Sequence, residues 1–160
     1  MKKIDKILAC VDFSQYTQMT LESAVAIARG TQAKIVVLNI INQRDVTSVG
    51  MVSQYYPDRI NVEDYVRDLK EERLETLTTI INTDFSAYKE NMTVEIEVGI
   101  PWESIVQAAV THKTDLVVMA NKGRGNLSRV LFGSVAEKVF RHSPVPVVSV
   151  RDTETFKGRQ

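Results

Sequence analysis

The chain has 160 residues, 44% of them apolar and 25% charged, with 20 lysines and arginines balanced by 20 aspartates and glutamates. That length suits one domain able to bury about 70% of the surface its unfolded chain exposes, and the balanced charge excludes a global field that would draw nucleic acid or an anionic membrane. One cysteine, Cys10, excludes a disulfide framework within the chain, and no apolar run approaches the length that spans a bilayer.

The opening stretch MKKIDKILACVDFS is basic at first, but Asp12 interrupts its short apolar run, unlike a signal peptide; the expected location is the cytoplasm. Residues 6–11 read as a first strand, with Cys10 as a small core residue. Residues 14–29 read as a helix because Leu21, Ala24, Val25 and Ala28 recur at i, i+3, i+4 and i+7, with Ser14 as N-cap and Gly30 as stop. Residues 34–41 form an almost wholly apolar second strand. Residues 42–60 have no clear period and contain Gly50 and Pro57, so they read as a lid or a locally disordered insert. Asn61 then caps a helix of about 25–30 residues whose inward face is Val62, Val66, Leu69, Leu77, Ile81, Phe85 and Tyr88.

Residues 93–98 alternate Val94, Ile96 and Val98 with Glu95 and Glu97, the pattern of a strand with one face or an edge in water. Pro101 begins a helix that turns Ile105, Ala108 and Ala109 inward and ends near His112, with Trp102 packed at its start. Residues 116–120 are a fourth strand. A basic, glycine-punctuated loop follows over residues 121–132. Gly133 and Ser134 then open a short amphipathic helix, and residues 145–150 close the chain with a fifth strand. Strands alternating with helices imply an α/β fold with a parallel sheet, helices on both faces and a ligand crevice at the carboxyl ends of the strands. Residues 1–151 are expected to form a single domain, and residues 152–160 a polar tail that frays.

The stretch Ser134-Val135-Ala136-Glu137 has the form of a capping box, in which hydroxyl and carboxylate each satisfy a backbone N–H. A helix N-terminus preceded by glycines can hold phosphate oxygens, and Lys122, Arg124 and Arg129 give this loop a basic bias suited to a small anion. Each of those side chains also suits a solvated loop face, and Ser134 also suits a plain cap.

At these residues the chain resembles the nucleotide-binding universal stress proteins, whose motif is Gly, two residues, Gly, nine residues, Gly, then Ser or Thr. Gly123, the residues 124–132, Gly133 and Ser134 match it, while Ala120 stands at the first glycine. The first strand ending in Asp12 and the closing HSPVPVVSVR are similar to the same family. The resemblance implies a three-layer, Rossmann-like sheet of the adenine nucleotide alpha hydrolase type, in strand order 3-2-1-4-5. It implies ATP, with Mg or Mn, held at the ends of strands 1 and 4 by Asp12, Ile40, Met119, Ala120, Asn121, Lys122, Gly123, Arg124, Gly133, Ser134 and Val135. Read as residues alone, Ile40 and Met119 are first of all ordinary core positions, and Asp12 is equally a helix-start acceptor. A methyl at position 120 pressed against a ligand costs about 1–3 kcal/mol by analogy with overpacking; with negative φ and the methyl turned away it costs nothing.

The apolar fifth strand is an edge in that order and needs a cover. Family members pair it across a two-fold axis, so a homodimer through residues 145–151 is expected. The first strand–helix turn lacks the Ser-Gly-Gly of pyrophosphate-releasing relatives, two histidines are too few for a metal cluster, and no nucleophile has a sequence-evident base. The function expected is a dimeric, ATP-binding stress regulator with slow hydrolysis at most. The alternative is a module of the same fold that binds a protein partner instead of a nucleotide.

Overall fold

The computed structural model describes residues 3–122 and 133–152. Its strands are β1 (Lys6–Cys10), β2 (Lys34–Asn42), β3 (Met92–Gly99), β4 (Leu116–Ala120) and β5 (Val147–Val150), and its helices α1 (Thr17–Thr31), α2 (Gln43–Ser53), α3 (Val62–Asp84), α4 (Pro101–Thr111) and α5 (Ser134–His142). The strands make one parallel sheet in the order β3-β2-β1-β4-β5.

Register decides what each face of that sheet carries. Ile7 pairs with Ile35 and Leu116, and Leu8 with Val36 and Val117. Because side chains alternate along a strand, Ile7, Ala9, Ile35, Val37, Leu116 and Val118 share one face with α1 and the buried end of α3. Leu8, Cys10, Val36, Leu38, Val117 and Met119 share the other with α4 and α5. Each Leu- or Ile-sized side chain buried in this way contributes about 1.5–3 kcal/mol.

The edge strand β3 departs from this pattern as its sequence predicts. Met92, Val94 and Ile96 join the α1–α3 core, whereas Glu95 and Glu97 turn to the other side and are half-buried. Trp102 packs at the start of α4, its ring centroid 5.0 Å from that of His142 and the Lys138 ammonium 5.6 Å above it.

Four local expectations are corrected. Residues 42–60 contain a helix: the Asn42 side chain accepts from the Arg44 N–H at 3.0 Å and Asp45 lies in the first turn, so a cap and a favourable dipole start α2 although none of its residues is buried. Helix α1 begins at Thr17 without a side-chain cap, and it ends at left-handed Gln32, φ 59°, with Gly30 inside it. Ser14 instead serves the preceding turn, its Oγ accepting from the Tyr16 N–H at 3.2 Å. Helix α3 ends at Asp84, and only Leu77 and Ile81 within it are buried; Phe85 and Tyr88 reach the core from the turn beyond. The capping box is not formed: Gly133 is the N-cap of α5 without a side-chain bond, and Glu137 pairs with Arg141 at 3.0 Å.

Two predictions follow from the core. The Tyr88 hydroxyl donates to the Ala33 carbonyl at 2.6 Å in a buried contact. Tyr88→Phe leaves that acceptor unpaired and should lower unfolding free energy by about 1–2 kcal/mol in a urea titration. The Cys10 thiol is held protonated far above the usual thiol range by burial, so iodoacetamide should label the native chain negligibly and the denaturant-unfolded chain fully.

Candidate functional site

Strand β1 lies between β2 and β4, and the chain leaves it in one direction and returns in the other. The connections diverge there and open a crevice at the carboxyl ends of the strands. A cavity of about 290 Å³ occupies this crevice. Its base is apolar, with Leu38, Ile40, Ile105, Met119 and Ala136, and its polar lining includes Asp12, Asn39, Asp45, Arg73, Asn121 and Lys122.

The turn after β1 is shaped by hydrogen bonds to its own backbone. Asp12 Oδ1 accepts from the Ser14 N–H at 3.0 Å. Between them Phe13 takes φ 59°, a left-handed conformation that is uncommon for a bulky residue and persists only where the surroundings hold it. Those surroundings are identifiable. Val11 donates its N–H to the Leu38 carbonyl at 2.9 Å, and its own carbonyl accepts from Asn39 Nδ2 at 2.8 Å. Asn39 Oδ1 accepts in turn from Arg73 Nη1 at 2.7 Å, and the guanidinium carbon of Arg73 lies 5.7 Å from the Phe13 ring centroid. A polar chain thus links α3, the end of β2 and the strained turn along one wall of the cavity. Asn39 is 1% exposed, and its bond to Val11 is buried, where water does not compete.

The opposite wall is set by β4 and α5. Asn121 donates its N–H to the Val150 carbonyl at 3.1 Å, and its own carbonyl accepts from the Gly133 N–H at 2.8 Å. This second bond holds the start of α5 beside the end of β4. Ala120 is not among the residues with positive φ, so an alanine stands at this position without backbone strain.

Of the residues singled out in the sequence, Asp12, Ile40, Met119, Ala120, Asn121, Lys122 and Gly133 line this one cavity. Ser134 is the exposed first residue of α5, and Val135 packs against the α4–α5 core. Gly123 and Arg124, with Arg129, lie outside the described residues. Asn39, Arg73 and Asp45 line the cavity without having been anticipated. Asn39 had a signal, as a lone amide within an apolar strand; Arg73 is one of many charges on α3 and had none.

The chain matches the model of the Universal stress protein family over residues 3–151. It is 28% identical to Universal stress protein MJ0577 of Methanocaldococcus jannaschii over an alignment covering 91% of this chain and 94% of that one. The solved structure of MJ0577 superposes with a TM-score of 0.78 at 26% identity, covering 95% and 99% of the two chains. Universal stress protein UspA from Lactobacillus plantarum gives a TM-score of 0.67 at 26% identity, with 94% and 100% covered. A universal stress protein solved in complex with cAMP shares the fold, with a TM-score of 0.57 at 21% identity and coverage of 94% and 98%. With a family match spanning nearly the whole sequence and a sheet of the same order and connection, this chain belongs to the universal stress protein family.

Proposed function

We propose that this protein binds ATP in the crevice at the ends of β1, β2 and β4 and acts in the cytoplasm as a dimeric, nucleotide-responsive stress regulator. The observation that carries the proposal is the convergence of Asp12, Ile40, Met119, Ala120, Asn121, Lys122 and Gly133 on one cavity beside a helix N-terminus that no side chain among the described residues caps. A volume of about 290 Å³ is at the small end for ligand pockets and matches a nucleoside better than a whole nucleotide. The base and sugar would occupy the apolar floor between Ile40 and Met119, with Asp12 accepting from a ribose hydroxyl. The phosphates would extend over Gly133 to the first amides of α5, where the dipole favours negative charge. Lys122 stands on that side, and a magnesium or manganese ion would accompany the phosphates. Hydrolysis is slow or absent on this reading.

The second reading, a protein-interaction module, is favoured by α2 and the turn after it, where Met51, Val52, Tyr55 and Tyr56 are exposed. Affinity for ATP separates the two. Calorimetric titration of nucleotide-free protein with magnesium and ATP should give a dissociation constant on the order of micromolar. Gly133→Val, which puts a branched side chain at the mouth of the phosphate path, should weaken it by at least about tenfold with unchanged thermal melting. Absence of saturable binding at millimolar ATP would leave only the interaction module.

Dimerisation is proposed through the β5 edge, where Val147, Val148 and Ser149 are only half-buried in the single chain. Sedimentation equilibrium at micromolar protein should give twice the chain mass of 18.0 kDa; a monomer there would reject this interface.

A further inference from the structure

On the far edge of the sheet, Glu95 and Glu97 of β3 and His112 at the end of α4 each offer a ligand atom, all within 4.8 Å of one another. His112 Nε2 is already 2.8 Å from Glu95 Oε2. We propose that these three residues bind one divalent transition-metal ion of the zinc type, at a site separate from the crevice described above, whose lining includes no residue of β3.

The backbone holds all three side chains in place before any ion arrives. Val94 and Ile96 are committed to the core on the opposite face, so strand alternation directs both glutamates the same way, about 6.6 Å apart along the strand. Their backbones are paired with Leu38 and Ile40 of β2, so neither can retreat by shifting register. The His112 N–H donates to the Ala108 carbonyl at 2.9 Å, and the His112 carbonyl accepts from Lys6 Nζ at 3.0 Å. Both bonds fix the His112 backbone and leave its imidazole to face Glu95. Charged side chains on an edge strand also discourage edge-to-edge pairing, but that role requires neither an imidazole nor convergence on a point.

One imidazole and two carboxylates are a borderline donor set that suits zinc, with a fourth position open to water. Tetrahedral coordination at about 2.0–2.2 Å requires donor atoms about 3.4 Å apart. Rotation about the side-chain bonds of the two half-buried glutamates would close the spread of up to 4.8 Å without moving the strand. Bound there, the ion would tie the end of α4 to the β3 edge and stabilise the folded chain by mass action.

The test is a zinc titration of chelator-treated, nucleotide-free protein by calorimetry, repeated with cobalt and read by visible absorption. The expected result is one ion per chain with affinity on the order of micromolar, a higher melting temperature with zinc, and a cobalt spectrum of low coordination number. Glu97→Gln and His112→Ala should each weaken binding by at least about tenfold, since even groups one step removed from a metal cost that much when lost. Glu97→Gln keeps the His112–Glu95 bond, so its melting temperature without metal should match the parent, which separates ligation from structural support. His142→Ala should bind as the parent does. No saturable binding at millimolar zinc, or binding that both Glu97→Gln and His112→Ala leave intact, would overturn the proposal.

Discussion

A parallel strand between two helical layers must bury both of its faces, and the rest of this molecule follows from how that requirement is met. The central strands β1, β2 and β4 meet it with largely apolar runs, so their side chains divide between the α1–α3 layer and the α4–α5 layer. Strand β3 has a neighbour on one side only and meets it by halves. Its Met92, Val94 and Ile96 join the core, while its glutamates face a side that water reaches. The apolar periodicity of the helices then follows from the face each must cover.

The crevice is a consequence of topology, but its shape rests on buried polar chemistry. Asn39 interrupts an apolar strand at the place where its amide can pair both with the Val11 carbonyl and with Arg73. A buried amide left half-satisfied would cost about 1–3 kcal/mol, so the arrangement holds only if α3, β2 and the Phe13 turn are all in position together. That mutual dependence couples α3, β2 and the Phe13 turn in one wall of the cavity. On the other wall the Asn121 backbone bonds to Val150 and Gly133 join the ends of β4 and β5 to the start of α5.

The two edges of the sheet manage their unpaired backbone differently. Strand β5 is largely apolar, with Val147, Val148 and Ser149 half-buried and Val150 buried, so it carries no charge at its edge. Strand β3 carries Glu95 and Glu97, which oppose pairing with a like edge. The two edges lie at opposite ends of the sheet with β2, β1 and β4 between them, and the crevice opens between them at the strand ends.

The sequence by itself determined the α/β class, the five strands, four of the five helices, and the alternation that leaves the glutamates of β3 on a side that water reaches. Each of these rests on local periodicity or on a residue at the end of an apolar run, which neighbours along the chain suffice to specify. The motif resemblance supplied the strand order, which periodicity does not encode. Tertiary structure decided the rest. Helix α2 buries nothing and so left no apolar period to read, although Asn42 and Asp45 start it. Ser134 has a cap's sequence context, yet Gly133 occupies the cap position because its N–H is drawn to the Asn121 carbonyl. Arg73 meets Asn39 across 34 positions of chain, and His112 meets Glu95 across 17. Such pairings depend on where whole helices settle on the sheet, and no local pattern carries that information.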